Sequence, residues 1–379
     1  MHITIDNRQY EARAGDTILD VARREGIDIP TLCYEPHLSI AGACRMCLVT
    51  LEPDNRLVTA CTTPVVEDMR VLTRNPETIE ARRMMLDLLL SEHPLDCLVC
   101  EANGNCALQD LAYEYGISES SFGCPTGRHF ELKSENPFIE VDPDKCIRCG
   151  KCIRVDHEVQ AAFAIDFVNR GAITTVATPF EQDLAADTST CVFCGQCVEI
   201  CPTGALTYSP SKGRGRIYDF ESTETICPYC GVGCRIILRT RDNQVIQVGT
   251  APAEGCANPR GESCVKGRFG YEYVNHPDRL TTPLIRKDGE LQPASWDEAL
   301  TYTAQRLDEV RRQWGADAVA GLSSAKCTNE ENYLMQKFMR AVIGTNNVDH
   351  CARLCHASTV AGLAQAFGSG AMTNSIGEI

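Results

Sequence analysis

Cys227-Pro-Tyr-Cys230-Gly-Val-Gly-Cys234, closed 30 residues later by Cys264-Val-Lys266-Gly267, divides the chain into two kinds of sequence. Cysteine-rich sequence precedes it, and an ordinary α/β rhythm follows. Thiols spaced C-x2-C-x3-C-x29-C suit a [4Fe-4S] cube, because a short glycine-containing loop can wrap one corner while a distant cysteine closes the cage. A structural zinc ion takes the same tetrahedral donor set, so the spacing leaves both readings open. Lys266, taken by itself, is an ordinary solvated charge.

At 379 residues the chain is long enough for two or more domains, and 44% hydrophobic residues suffice to bury real cores. Its 23 cysteines stand in tight C-x2-C groups rather than in the scattered spacing of a secreted disulfide scaffold. Metal ligation accounts for them better. Met1-His-Ile-Thr-Ile-Asp reads as a strand with no basic or apolar leader region, and Arg23-Arg24 lies in a helical pattern rather than in a twin-arginine signal. No apolar run approaches the roughly 18 residues of a membrane span. The protein is therefore expected in the cytoplasm, without a membrane span. A formal charge of −15 argues against a nucleic-acid partner and for a solvated surface but identifies no substrate.

An α+β multidomain chain is expected. Residues 1–76 alternate short strands (Ile3–Ile5, Met46–Leu51, Arg56–Thr59) with one helix, Thr17–Arg24, capped by Asp16. Cys33, Cys44, Cys47 and Cys61 read C-x10-C-x2-C-x13-C, with Gly42 where backbone must approach closely; they suffice for a [2Fe-2S] centre or for zinc. The unit resembles the β-grasp ferredoxin domain that opens the large iron–sulfur subunit of respiratory NADH:quinone oxidoreductase. Residues 77–118 follow a helix from Pro76 to about Ser91, with apolar Ile79, Met84, Met85, Leu88 and Leu89. It delivers His93, Cys97 and Cys100, and Cys106 then opens another helix. H-x3-C-x2-C-x5-C supplies three thiols and one imidazole, a set zinc could share. The pattern is similar to the one-His/three-Cys [4Fe-4S] domain of the same subunit family, which implies that all four residues are ligands, the neutral imidazole raising the cluster's potential.

Residues 120–140, rich in Ser, Gly, Pro and charge, read as a linker. Residues 137–210 hold an internal repeat, Cys146-Ile-Arg-Cys149-Gly-Lys-Cys152 and Cys191-Val-Phe-Cys194-Gly-Gln-Cys197-Val-Glu-Ile-Cys201-Pro202. The second run is the C-x2-C-x2-C-x3-C-P signature of two-cluster ferredoxins, whose fourth cysteine ligates the other cluster. Cys146, Cys149, Cys152 and Cys201 are then expected to hold one cube. Cys191, Cys194 and Cys197 are expected to hold the other, with Asp156 where the repeat requires a fourth thiolate. A carboxylate is a harder ligand than sulfur, and a solvated surface role for Asp156 is the alternative.

Residues 220–276 carry the hinge cysteines, and 277–379 return to a βα rhythm: an amphipathic helix Trp296–Trp314, a buried strand Ala318–Ser323 and a helix Asn329–Ile343. Cys355-His356 has three readings: a core cysteine beside a cap histidine, an atypical haem site, and a metal thiolate with a proton acceptor. The spacing C-x3-C-H, where haem attachment wants C-x2-C-H, disfavours the second.

In domain order and in these motifs the chain resembles the N-terminal part of the catalytic subunit of cytosolic NAD-dependent molybdenum or tungsten formate dehydrogenases, ending at the start of a bis-pterin molybdopterin oxidoreductase α/β fold. The resemblance implies that Cys355 ligates the metal, that His356 handles a proton, and that Lys266 lies between the hinge cluster and the pterin. The ligand sets fill five four-ligand sites, one [2Fe-2S] and four [4Fe-4S] clusters, the one with Asp156 expected to convert to [3Fe-4S] on oxidation, and the resemblance implies a bis-molybdopterin guanine dinucleotide. It also implies formate as substrate and a flavin- and iron–sulfur-containing NAD-reducing partner. Gly370 and Asn374 are candidates for the pterin surroundings; Cys124, Cys256, Cys327 and Cys351 have no assigned work. Because the sequence stops at Ile379, where a next strand is due, the chain alone is expected to be inactive. The competing expectation is an electron-relay subunit of NADH:quinone oxidoreductase or a hydrogenase, which needs no Cys355-His356.

Overall fold

The computed structural model describes residues 1–123, 129–132 and 136–370; Cys124 and Asn374 lie outside them. The chain divides into two compact units. One comprises Met1–Thr225, Ile236–Ala253 and Asn258–Gly270, the other Ile226–Arg235, Glu254–Ala257 and the chain from Tyr271 onward.

In the first unit, alternation in β1 (His2–Ile5) buries Ile3 and Ile5 completely. A two-residue turn at Asp6-Asn7, both at positive φ, returns the chain as β2 (Arg8–Glu11). With β3 (Leu48–Glu52), β4 (Arg56–Thr59) and β5 (Met69–Leu72) they form a five-stranded mixed sheet of order β2-β1-β5-β3-β4, β1 and β5 running parallel. The sequence reading lacks β2 and β5, four-residue strands whose charges mask their alternation. Ile18, Leu19, Val21 and Ala22 of α1 (Ile18–Arg24) share one core with Ile3, Ile5, Val49, Leu51 and Val71 of the sheet. The cap of α1 is Thr17, not Asp16. Thr17 Oγ1 accepts the Asp20 N–H at 3.2 Å, and the Asp20 carboxylate accepts the Thr17 N–H at 2.9 Å, a reciprocal capping box. Asp16 instead accepts from the Arg13 N–H and the Arg24 guanidinium, which hold its carboxyl below the usual range.

α2 (Pro76–Leu90) begins at its proline as expected, and of its five named apolar residues Met85 and Leu89 pack partly buried against the core. Ile79, Met84 and Leu88 are exposed, whereas Thr78, Arg82, Leu86 and Leu90 are buried. A polar seam against β3 decides this. Arg82 donates to the Leu48 carbonyl from Nε at 2.9 Å and Nη2 at 2.7 Å, and the Thr78 and Thr50 hydroxyls meet at 2.8 Å. α3 (Ala107–Glu114) starts after Cys106, and Leu108, Leu111 and Tyr115 pack with Leu86 and Leu90.

Beyond it, β6 (Ile139–Val141), β7 (Asp166–Val168), β8 (Thr175–Ala177) and β9 (Leu206–Tyr208) form two antiparallel ribbons, β6 with β9 and β7 with β8. α4 (Lys151–Val155) and α5 (Gln196–Glu199) each follow a left-handed glycine, Gly150 (φ 67°) and Gly195 (φ 71°). β10 (Glu221–Ile226), β11 (Arg235–Arg241) and β12 (Gln244–Thr250) form a three-stranded sheet, and α6 (Val265–Phe269) packs Phe269 into the core of this region.

The second unit contains the hairpin β13 (Leu284–Lys287) and β14 (Glu290–Pro293), then α7 (Trp296–Trp314), capped by Ser295. β15 (Gly321–Ser323) leads into α8 (Asn329–Lys337) and pairs in parallel with β16 (Val348–His350). The buried strand expected at Ala318–Ser323 is shorter and open: Ala316–Ala318 is a 3-10 turn, and Leu322 is 78% exposed. β15 pairs on one side only among the described residues; its Gly321 is buried against Met335 and Met339, while Leu322 on the opposite face is uncovered. α9 (Ala352–Cys355) and α10 (Ala357–Phe367) close the described chain. No described helix is long and apolar enough to cross a membrane.

Candidate functional site

The loops between α1 and β3 and after β4 bring the first four thiols together in two pairs. Cys47 and Cys61 Sγ stand 3.3 Å apart, and Cys33 Sγ bonds the Cys44 side chain and, at 3.5 Å, its N–H. Within each pair one thiol donates to the other. Cys33 is thereby lowered to about 5 and Cys47 to about 7, while Cys44 and Cys61 are driven up. Two thiol pairs match a rhombic [2Fe-2S] core, which has two irons to be ligated.

Cys97, Cys100 and Cys106 lie within electrostatic reach of one another, and burial pushes Cys106 up to about 11. His93 is half-buried one turn past α2, its N–H on the Leu90 carbonyl at 3.1 Å. Lys145 Nζ, paired to Asp96 and Asp142, places a cation near Cys100.

The repeat in sequence is a repeat in backbone. Arg148 and Phe193, the second residues after Cys146 and Cys191, share positive φ (54° and 51°), and their N–H groups donate to Cys146 Sγ at 3.4 Å and Cys191 Sγ at 3.5 Å. Cys146, Cys149, Cys152 and Cys201 line a cavity of about 310 Å³, with Cys197 on its wall. A cavity of about 20 Å³ is lined by Cys191, Cys194, Cys197 and Asp156. The two halves differ at Asp156, where Oδ2 accepts the Ala164 N–H at 2.7 Å and the Ile165 N–H at 3.3 Å. Burial raises the Asp156 carboxyl against those two donors, and its charge is felt by all three thiols of the small cavity.

Burial pushes Cys149 up to about 12, Cys191 to about 11, and Cys152 and Cys197 well above the usual thiol range. So many buried sulfurs become thiolates only with cationic compensation, which iron supplies. Among the described residues no three His, Cys, Asp or Glu side chains converge on a single-ion site. Buried polar atoms without a partner also mark the region: Nη2 of the fully buried Arg268, Nη2 of Arg148, Oγ1 of Thr175 and Oε1 of Gln196. The donor sets fit clusters.

Sequence reasoning missed two arginines. Arg268, one helical turn after Cys264, reaches the Cys194 carbonyl from Nε at 3.3 Å. Arg154, two residues after Cys152, donates Nη2 to the carbonyls of Cys33 at 2.6 Å and Cys149 at 3.3 Å, tying the paired-thiol loop to the large cavity. A basic residue within one turn of a ligand cysteine was the available signal in both cases.

The hinge thiols do not fall in one unit. Cys227, Cys230 and Cys234 belong to the second, with the Cys227 N–H on the Cys234 carbonyl at 2.9 Å, and Cys264 belongs to the first, at the start of α6. Lys266 is exposed in α6. Cys355 ends α9, exposed, so it is not a core cysteine; His356 is the cap residue of both α9 and α10, its backbone N–H on the Ala352 carbonyl at 3.0 Å and its side chain making no cap bond. Cys351, one turn earlier, accepts the Ala325 N–H at 3.3 Å and is lowered to about 7 by that bond and by His350 and Ser324. Gly370 lies against Val360 of α10.

Residues 1–76 match a 2Fe-2S iron-sulfur cluster binding domain and 82–121 the NADH-ubiquinone oxidoreductase-G iron-sulfur binding region. Residues 136–207 match the ferredoxin-like domain of NADH-quinone oxidoreductase subunit 3, 220–276 a molybdopterin oxidoreductase Fe4S4 domain and 279–379 molybdopterin oxidoreductase. The chain is 42% identical, over 94% of its length, to NADPH-Fe(3+) oxidoreductase subunit alpha of Geobacter sulfurreducens. It is also 42% identical, over 93%, to a G-type subunit of the NADH-quinone oxidoreductase of Rhizobium meliloti. A Staphylococcus haemolyticus protein provisionally named as a formate dehydrogenase is 33% identical over the whole chain. The chain spans 40 to 42% of the length of these relatives. A crystal structure of an NAD+-reducing [NiFe]-hydrogenase matches 57% of the chain and 90% of its own at TM-score 0.50 and 28% identity. The chain thus joins NADH-quinone oxidoreductase G-type iron–sulfur domains to a molybdopterin oxidoreductase domain of mixed α/β structure.

Proposed function

We propose that this oxidoreductase chain serves formate oxidation: HCOO⁻ gives CO2, a proton and two electrons, and the electrons leave singly through iron–sulfur clusters to an NAD-reducing flavoprotein in the cytoplasm. The observation that carries the reading is the exposed Cys355-His356 pair between α9 and α10, inside the segment that matches molybdopterin oxidoreductase. A molybdenum or tungsten bis-molybdopterin guanine dinucleotide, when bound, supplies the two-electron chemistry. Cys355 would contribute a soft thiolate ligand to it, His356 would accept the proton, and Lys266 would lie between the hinge cluster and the pterin.

The proposed domains are 1–76, a β-grasp [2Fe-2S] unit; 77–118, the one-His/three-Cys unit; 137–210, the two-cluster ferredoxin; 220–276, the hinge cluster; and 277–379, the start of the catalytic fold. Cys33, Cys44, Cys47 and Cys61 hold the [2Fe-2S] centre. His93, Cys97, Cys100 and Cys106 hold one cube, and Cys146, Cys149, Cys152 and Cys201 the next. Cys191, Cys194, Cys197 and Asp156 hold a third, and Cys227, Cys230, Cys234 and Cys264 the fourth, for about 18 iron atoms in all.

A second reading has its own support, since two relatives at 42% identity are named for NADPH-iron and NADH-quinone oxidoreduction. It makes the chain an electron relay between a nicotinamide-linked partner and another acceptor. Metal analysis of the holoenzyme with a formate-dependent dye assay separates the two. Molybdenum or tungsten with dye reduction supports formate oxidation; iron alone, with reduction driven by NADH or NADPH but not formate, supports the relay.

A further inference from the structure

We propose that Arg268 is a positioning residue of the electron wire: its buried guanidinium donates from Nη2 to the centre held by Cys191, Cys194 and Cys197 and raises that centre's reduction potential. The inference rests on the reading that these thiols bind a cluster.

Arg268 lies in α6, yet its side chain has no solvent exposure. Three of its donor directions are accounted for. Nε donates to the Cys194 carbonyl at 3.3 Å, and Nη1 donates to Glu199 Oε2 at 2.9 Å and to the Val248 carbonyl of β12 at 3.2 Å. Nη2 is buried without a partner. A buried N–H of a charged group left unsatisfied costs more than a neutral one, so a native structure supplies an acceptor. Cys194 and Cys197 both lie within the field of this guanidinium, and a cluster on them presents anionic sulfur.

The chain is built to admit this side chain. Gly195, between Cys194 and α5, has φ 71°, and a Cβ there would stand 2.9 Å from Arg268 Cγ. Glu199 is shared: it accepts the Tyr208 hydroxyl at 2.7 Å and faces Arg239 at 3.5 Å, so Arg268 is not fully neutralised by it. Reduction adds one negative charge to the centre, and a fixed cation in a low-dielectric setting favours the charged product. Arg268 follows Cys264 by four residues and bonds its carbonyl through the backbone N–H at 3.0 Å. The same short helix therefore carries a ligand of the hinge set and the cation that tunes the next centre.

The test is a redox titration, followed by electron paramagnetic resonance, of the cluster-loaded full chain. The relevant signal is assigned by its loss in Cys191→Ala. Arg268→Gln is expected to shift that one-electron equilibrium at least tenfold toward the oxidised form, about 59 mV lower, with the other signals unmoved. Glu199→Gln, which removes the opposing charge, is expected to shift the same signal upward, and Arg268→Lys to fall between Gln and wild type. An assembled Arg268→Gln protein with an unshifted signal, or with all signals shifted alike, overturns the inference. If Arg268→Gln does not assemble, an unshifted signal in Glu199→Gln overturns it instead. A wild-type chain in which Cys191→Ala removes no signal and no iron overturns the underlying cluster reading as well.

Discussion

Asp156 stands where the repeat calls for a cysteine. Oδ2 is held by the Ala164 and Ile165 N–H groups, which fix the carboxylate at the edge of the cavity lined by Cys191, Cys194 and Cys197. As an iron ligand its oxygen would grip less firmly than sulfur, and on the proposed ligation oxidation of the loaded chain is expected to release one iron and give a three-iron paramagnetic signal. Asp156→Cys should abolish that signal. An oxidised wild type without it, together with unchanged iron content in Asp156→Ala, would leave Asp156 a loop-fixing residue only. Cys355 carries a separate prediction. A hydroxyl is a poorer ligand than a thiolate, so Cys355→Ser in the holoenzyme should abolish formate turnover while the iron–sulfur spectrum stays intact. Wild-type turnover would remove Cys355 from the site.

At the scale of elements, the cysteine runs were legible because metal ligation fixes spacing more tightly than packing does. The inward face of α2 was not. Apolar periodicity pointed to Ile79, Met84, Met85, Leu88 and Leu89, of which Met85 and Leu89 pack against the core, but hydrogen bonding to the Leu48 carbonyl and to Thr50 turned Arg82 and Thr78 inward as well. Arg82→Leu should therefore destabilise the chain by about 1–3 kcal/mol, despite adding an apolar residue to a buried position, because the Leu48 carbonyl and Tyr115 hydroxyl lose a donor. Urea unfolding would read this as a lower midpoint, and a raised one would contradict the seam. Gly195 carries the corresponding prediction for α5. Alanine there adopts left-handed backbone at about 1–2 kcal/mol and meets the Arg268 side chain at 2.9 Å. Gly195→Ala should lower thermal stability and the iron content of the neighbouring centre together, whereas loss of stability with full iron would confine the effect to the backbone.

Over the whole chain, domain order was readable from motifs, while what binds one module to the next within the first unit was not. Those ties are arginines and lysines reaching main-chain carbonyls or carboxylates far away in sequence: Arg154 to Cys33, Lys151 to Glu35 at 3.2 Å, and Arg216 to the Leu98 carbonyl at 2.8 Å. Periodicity carries no trace of such partners, since a surface arginine and a clamping one look alike in a sequence. β15 shows the converse, an apolar run read as buried whose Leu322 face remains open among the described residues.

The grip of Arg154 on the carbonyls of Cys33 and Cys149 has a kinetic meaning. Tunnelling between redox centres decays exponentially with the gap, so a guanidinium that spans two ligand loops sets a speed in addition to the charge it lends to the Cys33 set. Arg154→Lys, which keeps that charge but gives up the planar fork that reaches both carbonyls, is expected to slow the hop between these centres in flash-reduction measurements while leaving both midpoint potentials in place. Unchanged hopping, or displaced potentials, would show that the clamp does not govern the interval. An electron crossing here would then owe its punctuality to a residue that never holds it.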